Sequence, residues 1–192
     1  MSRTQSPSMF KDMTVRNSTI INNGVELGGG GISNSGTLTL IGSFVGDNQT
    51  ISPGKGGGIE NGGILVVRYS TITNNYGPDG GGFANTVGGT AQFVDSVVAN
   101  NSAYGEGGGL WSVGVVTLTR TLVIGNESGN QGGGIWNKDV GTLTLKGSTI
   151  INNTTGAGGG GGLYSNGATS AANTIIRTNT PDNCAGAGYA CP

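Results

Sequence analysis

Histidine is absent from the sequence, and charged residues make up only 10% of its 192 positions. Histidine is the commonest general base near neutral pH and the commonest metal ligand, so catalysis would have to rest on ten acidic and nine basic side chains. These nearly cancel to a net charge of -1. Such a balance excludes both a self-repelling acidic tail and a basic surface for phosphate backbones, and nucleic acid is not an expected partner. Cysteine is almost as scarce. Cys184 and Cys191 are too few for a disulfide framework and have no histidine to complete a zinc site, which leaves a local bridge or two free thiols. No metal or cofactor is expected. Apolar runs stay within a few residues, as at 64–67, so no transmembrane segment is expected, and residues 1–5 do not open into an apolar signal segment.

Glycine, by contrast, supplies 41 residues, about three times its usual share. With only 5 prolines and no G-X-Y period, collagen is excluded, and the glycines must serve turns or close backbone approach. Neither composition nor charge shifts along the chain, so residues 1–192 read as one domain with a continuous core.

One column sets the organisation. Asn23, Asn48, Asn75, Asn101, Asn126, Asn153 and Asn179 follow at intervals of 25, 27, 26, 25, 27 and 26 residues. Three positions earlier runs an aliphatic column from Ile20 to Ile176, and two before that a hydroxyl column from Ser18 to Thr174. After each asparagine comes a variable loop. A glycine run then closes on Ile32, Ile59, Phe83, Leu110, Ile135 or Leu163, and the seventh repeat lacks this run. An alternating stretch follows, such as Thr142, Leu143, Thr144, Leu145, which is a strand signal.

Three short strand candidates and no helical period in about 26 residues predict one β-helical coil per repeat. The fold expected is all-β: a single-stranded right-handed parallel β-helix, or solenoid, of about seven coils of about 26 residues. Parallel coils stack about 4.8 Å apart and set equivalent side chains over one another. Leu38, Leu65, Ala91, Val116 and Leu143, with Leu40, Val67, Phe93, Leu118 and Leu145, should then point inward, and Thr39, Val66, Gln92, Thr117 and Thr144 outward. Asparagine suits the turn column because it tolerates left-handed backbone and its amide can donate and accept along a ladder. Neither end shows a cap: residues 9–13 open the first repeat directly in strand-like register and the chain stops in mid-pattern, so it reads as a fragment of a longer protein with ends that fray.

At these residues the chain resembles the polymorphic outer-membrane-protein repeats of chlamydial type, whose short signatures are Gly-Gly-Ala-Ile and Phe-x-x-Asn. Here they read Gly29-Gly30-Gly31-Ile32 and Ile20-x-x-Asn23, recurring through repeats one to six, with glycine replacing the alanine and Ile or Val the phenylalanine. The chain is also similar to the pectate-lyase-like superfamily of right-handed β-helices, which includes lyases, adhesins and passenger domains. The resemblance implies a secreted or bacterial outer-surface protein, often an adhesin-like passenger, whose partner is an extracellular glycan or a host or cell-surface protein.

Chemistry-bearing residues are scattered. Asp79 and Glu106 occupy the same place before the glycine run in consecutive repeats, with Lys55 in that place one repeat earlier. Stacking would bring this pair within reach of each other at the spacing a glycosidase uses, while solvated loop charge is the plainer reading. Asp47, Asp95, Asp139 and Asp182 fall in unrelated columns, so a calcium-assisted lyase site is not assembled. Trp111, Trp136 and Tyr164 follow the closing apolar residue in repeats four to six and are expected to form an exposed outward ladder, either self-stacked or in contact with sugar or protein. Thr37/Thr39 and Thr142/Thr144 show the Thr-x-Thr form of an ice- or crystal-binding array, which Ile64/Val66 and Val115/Thr117 interrupt. A non-catalytic surface scaffold is the leading expectation, ahead of a carbohydrate-active β-helix and an ice-binding face. Asp95 and Arg120, equivalent in consecutive repeats, should pair.

Overall fold

The structure, a computed structural model, describes residues 12–189 and residue 191. Four parallel sheets wrap a common axis. The first sheet gathers seven five-residue strands, from Asp12–Arg16 and Thr37–Ile41 to Ala168–Ala172. A second collects seven three-residue strands from Thr19–Ile21 to Ile175–Arg177, and a third six two-residue strands from Gly24–Val25 to Thr154–Thr155. The fourth runs from Ile32–Asn34 to Leu163–Ser165 and closes with Cys184–Ala185. Each strand pairs with its equivalent one coil away, as in Met13↔Leu38 and Leu38↔Leu65. The chain is therefore an all-β solenoid of six full turns, with a seventh rung whose third side is a single bridge, Thr154↔Thr180.

Each rung has four sides where the sequence pattern announced three. The extra side is the two-residue strand after each asparagine, such as Gln49–Thr50, too short to show any alternation.

Alternation in the first sheet places Leu40, Leu65, Val67, Phe93, Leu118 and Leu145 at full burial, with Thr39, Thr117 and Thr144 on the outer side. Together with Val45, Ile72, Val98, Val123 and Ile150 from the second sheet and Ile59, Phe83, Leu110, Ile135 and Leu163 from the fourth, they form one continuous core. Burial of each such side chain contributes roughly 1.5–3 kcal/mol.

The asparagine column is an internal ladder. In each inner rung the side-chain Oδ1 accepts from the backbone N and from the Nδ2 of the preceding asparagine: Asn101 Oδ1 lies 3.0 Å from Asn75 N and 2.9 Å from Asn75 Nδ2. Its own Nδ2 donates to Asn126 Oδ1 and to the Ile72 carbonyl, each at 3.0 Å. The expected left-handed backbone is not at these residues. Positive φ falls one position earlier, on Asn22, Asp47, Asn74, Asn100, Gly125, Asn152 and Thr178. That preceding residue turns the corner at the surface, which leaves the ladder asparagine to aim its amide along the axis. The hydroxyl column forms a second ladder, with Ser43 N donating to Ser70 Oγ at 3.0 Å.

The glycine run fills the corner between the third and fourth sheets. A Cβ on Gly108 would collide with the Glu127 carbonyl of the next coil, so backbone packs on backbone there.

The final rung carries a cover that the sequence pattern did not reveal. Asn183 Oδ1 accepts from Asn179 N at 3.1 Å and from Asn179 Nδ2 at 3.2 Å, taking the place of the next ladder asparagine. Tyr189 packs against the core, and a Cys184–Cys191 disulfide holds this segment in place with Cα atoms 5.6 Å apart. At the other end, residues 9–11, expected to begin the first strand, lie outside the described residues.

Candidate functional site

The outer face of the fourth sheet brings most of the candidate residues together. Its outward column, one residue per rung, reads Ser33, Glu60, Ala84, Trp111, Trp136, Tyr164. Five residues upstream, in the loop that enters this sheet, stand Lys55, Asp79, Glu106 and Gln131. Positive φ at Gly56, Gly80, Gly107 and Gly132 reverses the chain between the two columns.

The expected approach of Asp79 to Glu106 exists, in a form that differs from a pair of facing carboxyls. Asp79 Oδ1 accepts from the Glu106 backbone N at 3.1 Å, while its Oδ2 pairs with the Lys55 ammonium. The same ammonium lies 4.5 Å from the Trp111 ring centroid, two rungs from its own. Lys55 therefore arches over Ala84, which is fully buried although it points outward. Ala84 is the small residue that makes room for the arch.

Burial raises the pKa of Glu106, and the Asp79 carboxylate adds to the rise; Lys138, the Trp111 indole and Lys55 oppose it. Burial also raises the pKa of Glu60, against the pull of Lys55. Glu60 was not singled out in the sequence. Its one signal is register, a carboxyl in the column that later holds two tryptophans. Beside it a shallow depression of about 260 Å³ is lined by Ser33, Asn34, Ser35, Glu60, Gly62 and Thr86. Carboxyls that hold their protons above the usual range could act as hydrogen-bond donors or as general acids here.

The aromatic ladder forms but is not exposed, which corrects the expectation for Trp111 and Trp136. Their rings stack at 6.1 Å between centroids with planes 24° apart, and the residues keep only 6% and 4% of their surface. Lys55 covers the first ring and Lys138, 4.8 Å from the centroid, the second. Both indole Nε1 atoms are buried without a hydrogen-bond partner. Tyr164 continues the column and is half-buried.

The remaining acids stay apart. Asp95 and Arg120 pair as expected, with Nε to Oδ1 at 2.6 Å and Nη2 to Oδ2 at 2.8 Å, and Asp182 accepts from the backbone of Gly161 at 3.3 Å. Among the described residues no three carboxyl or thiol groups are grouped to hold a metal ion, and no helix is long and apolar enough to cross a membrane. Comparison with protein-family models, with curated proteins and with solved structures returns no match to this chain.

Proposed function

We propose that the chain is a non-catalytic β-helical scaffold of the cell surface or extracellular space, working as an adhesin-like passenger. The observation that carries this reading is the engagement of Asp79. Its two oxygens are taken by the Lys55 ammonium and the Glu106 backbone, so the carboxyl a glycosidase would need instead ties three rungs together. The Cys184–Cys191 bridge supports an oxidising compartment, since such bonds persist outside the cytosol. A carbohydrate-active reading draws on one feature, the raised pKa of Glu106 beside Asp79.

Incubation with polygalacturonate and a panel of neutral and acidic glycans separates the two readings. The scaffold reading expects retention on an immobilised glycan or cell-surface protein with no release of shortened product. Product release that disappears in Glu106→Gln or Asp79→Asn would overturn it.

A further inference from the structure

The second sheet presents an outward face that no other part of the described chain covers. Val97, Ala99, Leu122, Ile124 and Ile151, each partly exposed, form a continuous apolar patch over three rungs, and Phe44 and Ile175 extend it beyond Thr71 and Thr149. The Phe44 ring lies flat across Gly46, where a Cβ would strike it, so the face stays smooth. None of the fourteen outward positions on the seven strands is acidic, and Arg177 is the one that is charged. An apolar strip of this kind, with threonines as its only uncharged polar residues, marks a contact surface.

Charge is distributed unevenly along its two borders. The corner shared with the first sheet carries Arg16, Arg68 and Lys146 in one outward column and Arg120 in the next, all exposed. Asp95 is the one acid there, and its two hydrogen bonds to Arg120 fix that guanidinium in place. Four cations and one acid give +3 on this edge, in a chain whose net charge is -1. The far corner holds Asn22, Asn74, Asn100, Gly125, Asn152 and Thr178, and its two charges, Asp47 and the strand-end Arg177, cancel.

We infer that this face docks on a membrane surface bearing anionic phosphate headgroups: the apolar strip rests at the headgroup boundary and the basic edge pairs with phosphates. Charge complementarity selects this occupant. A soluble polyanion would use the arginines and leave the apolar strip bare. A second copy would set against the four cations either the same cations or a corner whose one acid is Asp47. An anionic bilayer satisfies strip and edge together, as it does for amphipathic surface elements. The inference does not depend on the scaffold reading, because it concerns a different face.

Sedimentation of the whole chain with vesicles tests it. Binding is expected to vesicles of phosphatidylcholine and phosphatidylglycerol, to weaken with added salt, and to be absent for phosphatidylcholine alone. The variant Arg68→Gln/Lys146→Gln removes two exposed cations and should weaken binding about tenfold or more. Ile124→Thr/Ile151→Thr keeps β-branched side chains in a paired position and should also weaken it about tenfold, with circular dichroism verifying the fold. Equal binding to both vesicle types, or no binding to either, overturns the inference. So does binding to dextran sulfate that needs the cations but not the isoleucines, or a concentration-dependent dimer that both variants abolish.

Discussion

Ser112 and Asn137 face each other across one rung of the inner fourth-sheet ladder, and no hydrogen bond joins them. Asn137 Oδ1 is buried without a partner, while Ser112 Oγ donates to the Gly114 carbonyl at 3.3 Å. Two rungs earlier the same ladder is complete, with Asn61 Nδ2 donating to Asn85 Oδ1 at 2.8 Å. Serine is one amide too short to reach. The substitution Ser112→Asn should close the gap, because Asn61 fits a turn of the same length. Satisfying a buried acceptor is worth about 1–2 kcal/mol, so the melting temperature should rise. An unchanged or lower value would show that the turn at Val113 does not admit the amide.

The asparagine ladder predicts a gradient along the axis. Asn101→Ala removes two donated and two accepted bonds in a fully enclosed rung and leaves Asn75 and Ile72 groups unpaired. A loss of about 3 kcal/mol or more is expected. Asn23 sits exposed in the first rung, and Asn23→Ala should cost about 1 kcal/mol or less. Urea denaturation of both variants checks the ratio; equal losses would contradict a stack in which inner rungs carry the stability.

Much of this architecture was legible in the sequence because stacking turns three-dimensional contact into fixed spacing. Asn23 to Asn179 gave the coil length, and Leu143 and Leu145 between threonines gave the inward face. What escaped depends on how loops return. Trp111 points outward by strand alternation, and its cover comes from the stacked Trp136 and from Lys55, which reaches it from two rungs away. Positive φ moved from Asn101 to Asn100 because an amide aimed along the axis cannot also turn the corner. Asn183 escaped as a ladder cap because it falls four residues after Asn179, inside what looked like an unfinished coil.

The outer cluster on the fourth sheet should leave a signature in pH. Glu60 and Glu106 have pKa values raised above 4.5 in the folded chain, so the folded state holds their protons more tightly than the unfolded state. Their contribution is full below about pH 4.5 and is lost as pH rises through the raised values. Asp95 has the opposite sign: its pKa lies below 3.8 through Arg120, and its stabilisation is lost as pH falls, though its exposure leaves it screened by salt. Melting temperatures across pH should therefore decline less steeply above pH 4.5 in Glu106→Gln than in the unaltered chain. A slope identical in both would show that Glu106 is better solvated than its surroundings imply.

Reduction of the Cys184–Cys191 bridge should loosen one end and spare the rest. The bond closes a loop of sequence separation 7, so its loss is worth about 2 kcal/mol through the freedom regained by the unfolded segment. At this end the final coil pairs only with the one before it, so that change stays local. Once Cys191 is released, Tyr189 loses its tether over the core, and Asn183 loses the restraint that keeps it against Asn179. In Cys191→Ser, hydrogen exchange should speed up across residues 175–189 and remain slow from 64 to 165. Cys184 still packs on the core and pairs with Leu163 in that variant, so the effect belongs to the tether and not to a cavity. Faster exchange along the whole chain would mean that the end cover supports every rung, and no change would mean that Asn183 and Tyr189 hold it unaided.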